Sequence, residues 1–170
     1  MKLILSLTAT IALFFSAAAM AEFEFDKSKA YVGGGLAYNS PDLSGFDSAI
    51  GFQGFAGYDI SDSVSIDESI GLSVEVGYAS SGNFSWSGCS ILGVVCEWNS
   101  NGLWSTAVFD YQVKDKIKTI GRIGYDLANA SGLIIGAGGL YTLNEQMDVV
   151  IEYVIRNRHK GLQANFIYHL

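Results

Sequence analysis

The sequence predicts an all-β fold, an eight-stranded antiparallel transmembrane up-and-down β-barrel, and three observations predict it. Apolar residues recur at every second position over eight segments, and no segment carries a convincing helical stripe. Within each segment the large apolar side chains share one parity, while small and polar residues dominate the other. Eight of the nine tyrosines lie on the apolar parity, one per segment, and only Tyr31 does not.

Composition frames these patterns. The chain has 170 residues, 49% hydrophobic and 16% charged, with a mean hydropathy of +0.28, which is apolar for a soluble domain. Beyond the extreme N-terminus no segment holds the uninterrupted apolar run of about 20 residues that a transmembrane helix needs, so the apolar content is spread over short segments. The net charge of −7 disfavours nucleic acid as a partner, because phosphate contacts need a clustered basic surface.

Residues 1–21 read as a cleaved signal peptide: Lys2, an apolar stretch over residues 3–15, then Ala19, Met20 and Ala21 before Glu22. Its removal takes away one lysine and no acid, so −7 becomes −8 for residues 22–170. The only two cysteines, Cys89 and Cys96, fit an exported protein in an oxidising compartment. A disulfide between them would close a short loop and stabilise by about 2.5 kcal/mol on the chain-entropy model. A metal pair is the weaker alternative, since no CxxC pattern exists and neither histidine is near in sequence.

Strands are expected over 30–40, 48–60, 68–80, 103–113, 117–127, 132–143, 147–157 and 161–170. The intervening segments carry turn chemistry, among them NSPDLSG with the single proline, KDK, ANAS, NEQ and RNRHK. The first strand shows Val32, Leu36 and Tyr38 on its apolar parity, the second Ile50, Phe52 and Tyr58, the third Leu72, Val74, Val76 and Tyr78. Phe109 and Tyr111 continue the pattern, followed by Ile123 and Tyr125, Leu133 and Tyr141, Ile151 and Tyr153, and finally Phe166, Tyr168 and Leu170.

The opposite parity carries Gln53, Glu75, Asp110, Lys118, Arg122, Asp126, Glu152, Arg156, Gln163 and Asn165, with several glycines and a few apolar side chains such as Phe55 and Ile134. A soluble barrel would place its bulky residues inside and its charges outside. The inverted pattern places lipid outside and a polar lumen inside, so Glu75 is expected to point inward, with Lys118, Arg122 and Arg156 as partners of opposite sign. Slipping the register by one residue would turn an arginine such as Arg122 into hydrocarbon, at about 2–4 kcal/mol at the midplane.

Chain direction sorts the tyrosines. Tyr38, Tyr78, Tyr125 and Tyr153 fall towards the outer ends of upward strands, and Tyr58, Tyr111, Tyr141 and Tyr168 towards the inner ends of downward ones. Two aromatic girdles result. The long segment 81–102 is then extracellular, and KDK and NEQ are tight periplasmic turns.

The stretch GGLYTLNEQMDVVIEYVIRN and the ending GLQANFIYHL resemble the last three strands of the small outer-membrane barrels of the OmpA, OmpX and Ail type. Leu162, Ala164, Phe166 and Tyr168 keep the alternation of the group's terminal strand, with Leu170 where a terminal aromatic residue is usual. The resemblance implies an integral protein of the bacterial outer membrane, inserted by the barrel assembly machinery. It also implies partners among outer-membrane lipid and lipopolysaccharide, with a host-surface or other envelope component meeting the loops. The chain stops at its eighth strand, so no wall-anchoring function is expected.

No catalytic residues, cofactor or metal ligands are expected. The inward charges Glu75, Asp110, Lys118, Arg122, Asp126, Glu152 and Arg156 read as a lumen network that plugs an eight-stranded barrel, with a narrow ion channel as the alternative. A lipid A modifying hydrolase or acyltransferase would need a histidine beside a hydroxyl near the outer leaflet. Neither His159 nor His169 has that context in sequence. Arg158, His159 and Lys160, beside Arg156, form a basic cluster at the outer surface that could meet lipopolysaccharide phosphates or another polyanion. The apolar segment 81–102 either extends outward as a sticky hairpin or folds down over the barrel mouth.

Overall fold

The computed structural model describes residues 25–63, 69–86, 88 and 96–170. The expected signal segment 1–21 and Cys89, and with it the expected bridge to Cys96, lie outside the described residues. Among the described residues ten strands follow in order: β1 (Ala30–Pro41), β2 (Ala49–Asp59), β3 (Ile70–Ser80), β4 (Phe84–Ser85), β5 (Glu97–Trp98), β6 (Asn101–Lys114), β7 (Ile117–Asp126), β8 (Gly132–Asn144), β9 (Met147–Ile155) and β10 (His159–His169). Eight of them close a barrel in the order β1, β10, β9, β8, β7, β6, β3, β2, and β4 and β5 form a separate two-stranded hairpin. Every neighbouring barrel pair is antiparallel, and β1 closes on β10 from Tyr31 opposite His169 to Pro41 opposite His159.

Side chains alternate across the wall as the sequence pattern requires. On β10, Leu162, Phe166 and Tyr168 are exposed, while Gln163, Asn165 and Ile167 are buried. The outward residues meet lipid, so their exposure costs nothing there. Inside, large side chains sit opposite glycines on the neighbouring strand. Tyr31 pairs with Gly57 and Trp104 with Gly77, and a Cβ at either glycine would collide with the facing ring. This pairing lets aromatic rings lie flat along the inner wall of a narrow barrel.

The girdles follow from the register. Leu162 is level with both Tyr38 and Tyr153 near the outer end, and Tyr125 is opposite Leu133. Near the other end, Ile117 lies opposite Tyr141, and Tyr168 opposite Val32. All seven tyrosines other than Tyr31 and Tyr58 are exposed. Tyr58 is half-covered by the Phe25 ring, 5.6 Å away between centroids.

At the periplasmic end two-residue turns join β6 to β7 through Asp115 and Lys116, and β8 to β9 through Glu145 and Gln146. A register shift sits beside each, at Gln112 and Lys114 and at Thr142 and Asn144, the bend a bulge provides where a ladder ends. A short 3-10 turn before β1 is capped by Asp26, whose carboxylate accepts from the Ser28 hydroxyl and amide and is thereby held below the usual carboxylate range.

Strand limits depart from the sequence reading mainly at the outer end. β10 begins at His159 rather than 161, because the Arg156 amide donates to the His159 carbonyl and closes a turn of only Asn157 and Arg158. β6 begins at Asn101, paired with Ser80.

Candidate functional site

The middle of the lumen is held by Arg122 on β7. Its Nε donates to Glu152 on β9 at 2.6 Å, and its Nη1 donates to Glu75 on β3 at 2.9 Å. β7 and β9 are separated by β8, which presents Gly136 beside Arg122 and Gly138 beside Glu152. A Cβ at either glycine would press on the facing charged side chain, so glycine on β8 lets the guanidinium reach across a strand.

The remaining acceptor positions are also used. Tyr31 donates its hydroxyl to Glu75 at 3.0 Å, Gln163 donates to Glu152 at 2.7 Å, and Gln53 on the far side donates to Asn165 at 2.9 Å. Glu75 and Glu152 are 2% and 1% exposed. Two carboxylates that dry are tolerable only because each is paired and hydrogen-bonded.

Above this layer, Arg156 donates to Asp126 at 2.6 Å, and Asp126 also accepts from the Ala128 amide at 2.9 Å. Trp104 separates the two arginines. Its ring centroid is 5.6 Å from the Arg122 guanidinium and 5.8 Å from that of Arg156, and Phe55 leans on it at 5.8 Å. Cation–π contact on a desolvated indole adds to the ion pairs.

The mouth is covered by the β4–β5 hairpin. Phe84, fully buried, stacks on Trp98 at 5.1 Å and tilts against His159 of β10 at 5.9 Å. Ser81 and Ser100 lock the hairpin's base through two hydrogen bonds, and Asn39 of β1 donates to the Ser81 carbonyl at 3.0 Å. The β1–β2 loop joins from the side: the Asp47 amide donates to the Ser85 carbonyl, and Phe46 stacks on Trp86. Gly45, at φ +90°, lies directly beneath the Trp86 indole, where a Cβ would collide.

Two cavities among the described residues adjoin the lumen. One of about 20 Å³ lies under the cap against Asn39, Ser100, Asp126, Arg156 and His159. The other, about 110 Å³, opens at the periplasmic end against Tyr31, Glu75, Asp110, Lys118 and Asp148. They share no lining residue. Between them lie Trp104, Phe55 and the Arg122 layer.

The seven inward charges predicted from sequence all point into the barrel, but they do not form one network. Glu75, Arg122 and Glu152 meet at the centre. Arg156 pairs with Asp126 rather than with Glu75, and Lys118 pairs with Asp110 at 2.9 Å in the periplasmic chamber. The strand staggers set these levels, since Asp126 ends β7 and Arg156 directly follows β9 at the outer side, while Lys118 is the second residue of β7 at the inner side.

The basic surface cluster needs correction. His159 is 4% exposed and wedged under the cap, because its position on β10 has the inward parity of Gly161 and Gln163. Only Arg158 and Lys160 are exposed. Of the two readings of segment 81–102, its described part folds over the mouth.

Trp104 and Asp148, which accepts or shares a proton with His169 at 2.8 Å, were not singled out by sequence. Trp104 was legible as the one large aromatic on the inward parity of its strand.

The comparisons agree with this architecture. A family model described as the outer membrane protein beta-barrel domain matches residues 7–168. The chain belongs to that family. It is an integral protein of the bacterial outer membrane. Among solved structures, a de novo designed transmembrane β-barrel is 18% identical with a TM-score of 0.57, covering 87% of this chain and 100% of the design. Ail of Yersinia pestis, solved with the heparin analogue sucrose octasulfate, is 13% identical with a TM-score of 0.53, covering 82% of this chain and 96% of Ail. Neisserial surface protein A is 15% identical with a TM-score of 0.50, covering 84% and 98%. At such identities the likeness is one of fold. No curated protein matches the chain.

Proposed function

We propose that this barrel is a non-enzymatic surface-interaction protein whose working part is its outer end, meeting an envelope or host-surface component through its loops. The observation that carries the reading is the contrast between a filled lumen and a built exterior. The path through the barrel is occupied by Arg122, its two carboxylates and Trp104, whereas the mouth carries an ordered platform that leaves Trp86 43% and Leu43 48% exposed. Exposed apolar side chains at the rim of a polar surface can mark an interaction site, and tryptophan is enriched at binding hot spots.

The placement of the histidines supports a non-enzymatic reading. Among the described residues neither His159 nor His169 hydrogen-bonds a serine hydroxyl, and His159 is buried against two aromatic rings. Ail was solved with a sulfated sugar analogue, and polyanion binding of that kind is the narrower form of the present reading. Here it would rest on Arg158 and Lys160 alone.

The test is binding of intact cells producing the full chain to immobilised matrix, glycan and envelope fractions. Cells carrying Trp86→Ala should lose binding to at least one surface that the unaltered chain retains. Equal binding by both, or by cells lacking the protein, would sink the reading.

A further inference from the structure

The cap leaves the barrel between β3 and β6 and lands on β10. β3 ends at Ser80 and β6 begins at Asn101. Between them the Ser81 amide donates to the Ser100 carbonyl at 3.0 Å, and the Ser100 amide donates to the Ser81 hydroxyl at 2.8 Å. Gly82 follows at φ +76°, a backbone conformation that glycine adopts freely, so the foot of the hairpin is a hinge. From there the hairpin reaches across the mouth to His159, whose ring lies 5.9 Å from that of Phe84 and 6.3 Å from that of Trp98. The β1–β2 loop is joined to the hairpin through Asp47 with Ser85 and Phe46 with Trp86, and so belongs to the same lid.

The landing place suits only an uncharged imidazole. His159 is 4% exposed, and among the described residues its Nδ1 has no hydrogen-bond partner. Arg156 lines the same cavity of about 20 Å³, so a proton on His159 would set a second cation in that space. The acids nearby are engaged. Asp126 is bonded to Arg156 at 2.6 Å and to the Ala128 amide. Asp42, about half exposed, stands 3.9 Å from Lys160 Nζ, and Glu97 on the hairpin is exposed and accepts from Asn83. Ring faces attract a cation, but they return less than it costs to bury a charge without a partner. Lifting the cap hydrates the imidazole and removes the conflict.

We propose that the cap is an acid-released lid, hinged at Ser81, Gly82 and Ser100 and latched by uncharged His159, and that acid uncovers Phe84 and Trp98 at the mouth. The closed lid keeps its full stability above about pH 6.5, where an open-state histidine is also uncharged, and loses it as pH falls below that value, because only the open state then takes up the proton. The barrel stays closed throughout, since the Arg122 layer holds no histidine. Control of the outer end in this way rests on its being the interacting part, whereas lid opening is measured without any partner.

The experiment follows amide exchange of the full, untagged chain refolded in detergent micelles, expressed as protection factors so that the intrinsic pH dependence of exchange drops out. Between about pH 7.5 and about pH 5.5, protection at residues 81–86 and 96–100 should fall about tenfold, the factor for one histidine that takes its proton only in the open state. Residues of β7 and β9 should keep theirs. His159→Phe retains a ring against Phe84 and Trp98 but does not titrate, and should abolish the fall. His159→Gln, also uncharged, should abolish it too, so the outcome does not hang on one variant folding. His169→Phe, at the periplasmic end, should leave the fall in place, and with it both histidines of the chain are accounted for. Trp86→Ala should keep the fall even where it abolishes cell binding, so the two readings fail separately. Cap protection equal at both pH values, a fall that survives His159→Phe and His159→Gln, or an equal fall in β7 and β9 would overturn the proposal.

Discussion

The centre of the lumen and its mouth solve the same problem with opposite materials. At the centre, strand residues bring Arg122, Glu75 and Glu152 together by register, and charge fills the space. At the mouth, loop residues Phe84 and Trp98 meet His159, and aromatic surface fills it. The central layer is cooperative with the barrel, because each member sits on a different strand and moves only if the wall moves. The described part of the cap is a short hairpin of its own that meets the wall at Asn39 and His159, so it is the part able to open while the barrel persists.

The largest expected effect comes from the centre. Arg122→Met removes the one cation between two carboxylates that are almost fully buried, and should destabilise by about 3–5 kcal/mol. Heat-modifiability in detergent gels, with denaturant titration in micelles, would measure it. Steady conductance should not appear, because Trp104 and Phe55 still block the section. If planar-bilayer recording of the unaltered protein shows large stable currents, the filled-lumen picture is wrong.

The outer wall offers the next effect and a depth gauge. Ala137 faces lipid midway along β8, opposite Gly121, between Leu133 at the outer girdle and Tyr141 at the inner one. Ala137→Arg should cost about 2–4 kcal/mol. Ile123→Arg, one pleat from Tyr125, should cost less, since a long cation near the interface can snorkel to the headgroups. Equal costs in lipid vesicles would contradict the assigned depths.

The wall was readable from sequence for a physical reason. A strand's period of two forces every residue to one face, so Tyr125 and Arg122 declare their sides by position alone. The parity of Glu75, Arg122 and Glu152 announced an inward group of charges, but their grouping depended on stagger between strands, which no single segment encodes. Parity alone therefore makes Arg156 an equal partner for Glu75, and only the register places it beside Asp126. The cap was less legible still. Phe84, Trp98 and His159 come from three separated positions, and no periodicity links a loop to the strand that receives it.

The mouth should respond locally. Phe84→Ala removes a fully buried ring, a change worth about 3–5 kcal/mol in a protein core. Here the loss should fall on the cap alone. Amide exchange should quicken at residues 81–86 and 96–100, while the barrel's unfolding midpoint moves by less than the effect of Arg122→Met. A global loss as large as that of Arg122→Met would show that cap and barrel fold as one unit.

The smallest effect belongs to the periplasmic chamber. Lys118 and Asp110 are paired at 2.9 Å, but their side chains are 34% and 17% exposed, and the chamber of about 110 Å³ is open to solvent. Water reaches both partners, so the ion pair replaces hydration rather than filling a dry void, and its net worth is about 0–1 kcal/mol. Lys118→Gln should therefore leave the denaturation midpoint almost unchanged at moderate salt. Adding salt should narrow even that difference, since the pair is screened where the Arg122 layer is not. A loss from Lys118→Gln comparable to that from Arg122→Met, insensitive to salt, would mean that the chamber is as dry as the centre and that the barrel is sealed at both ends.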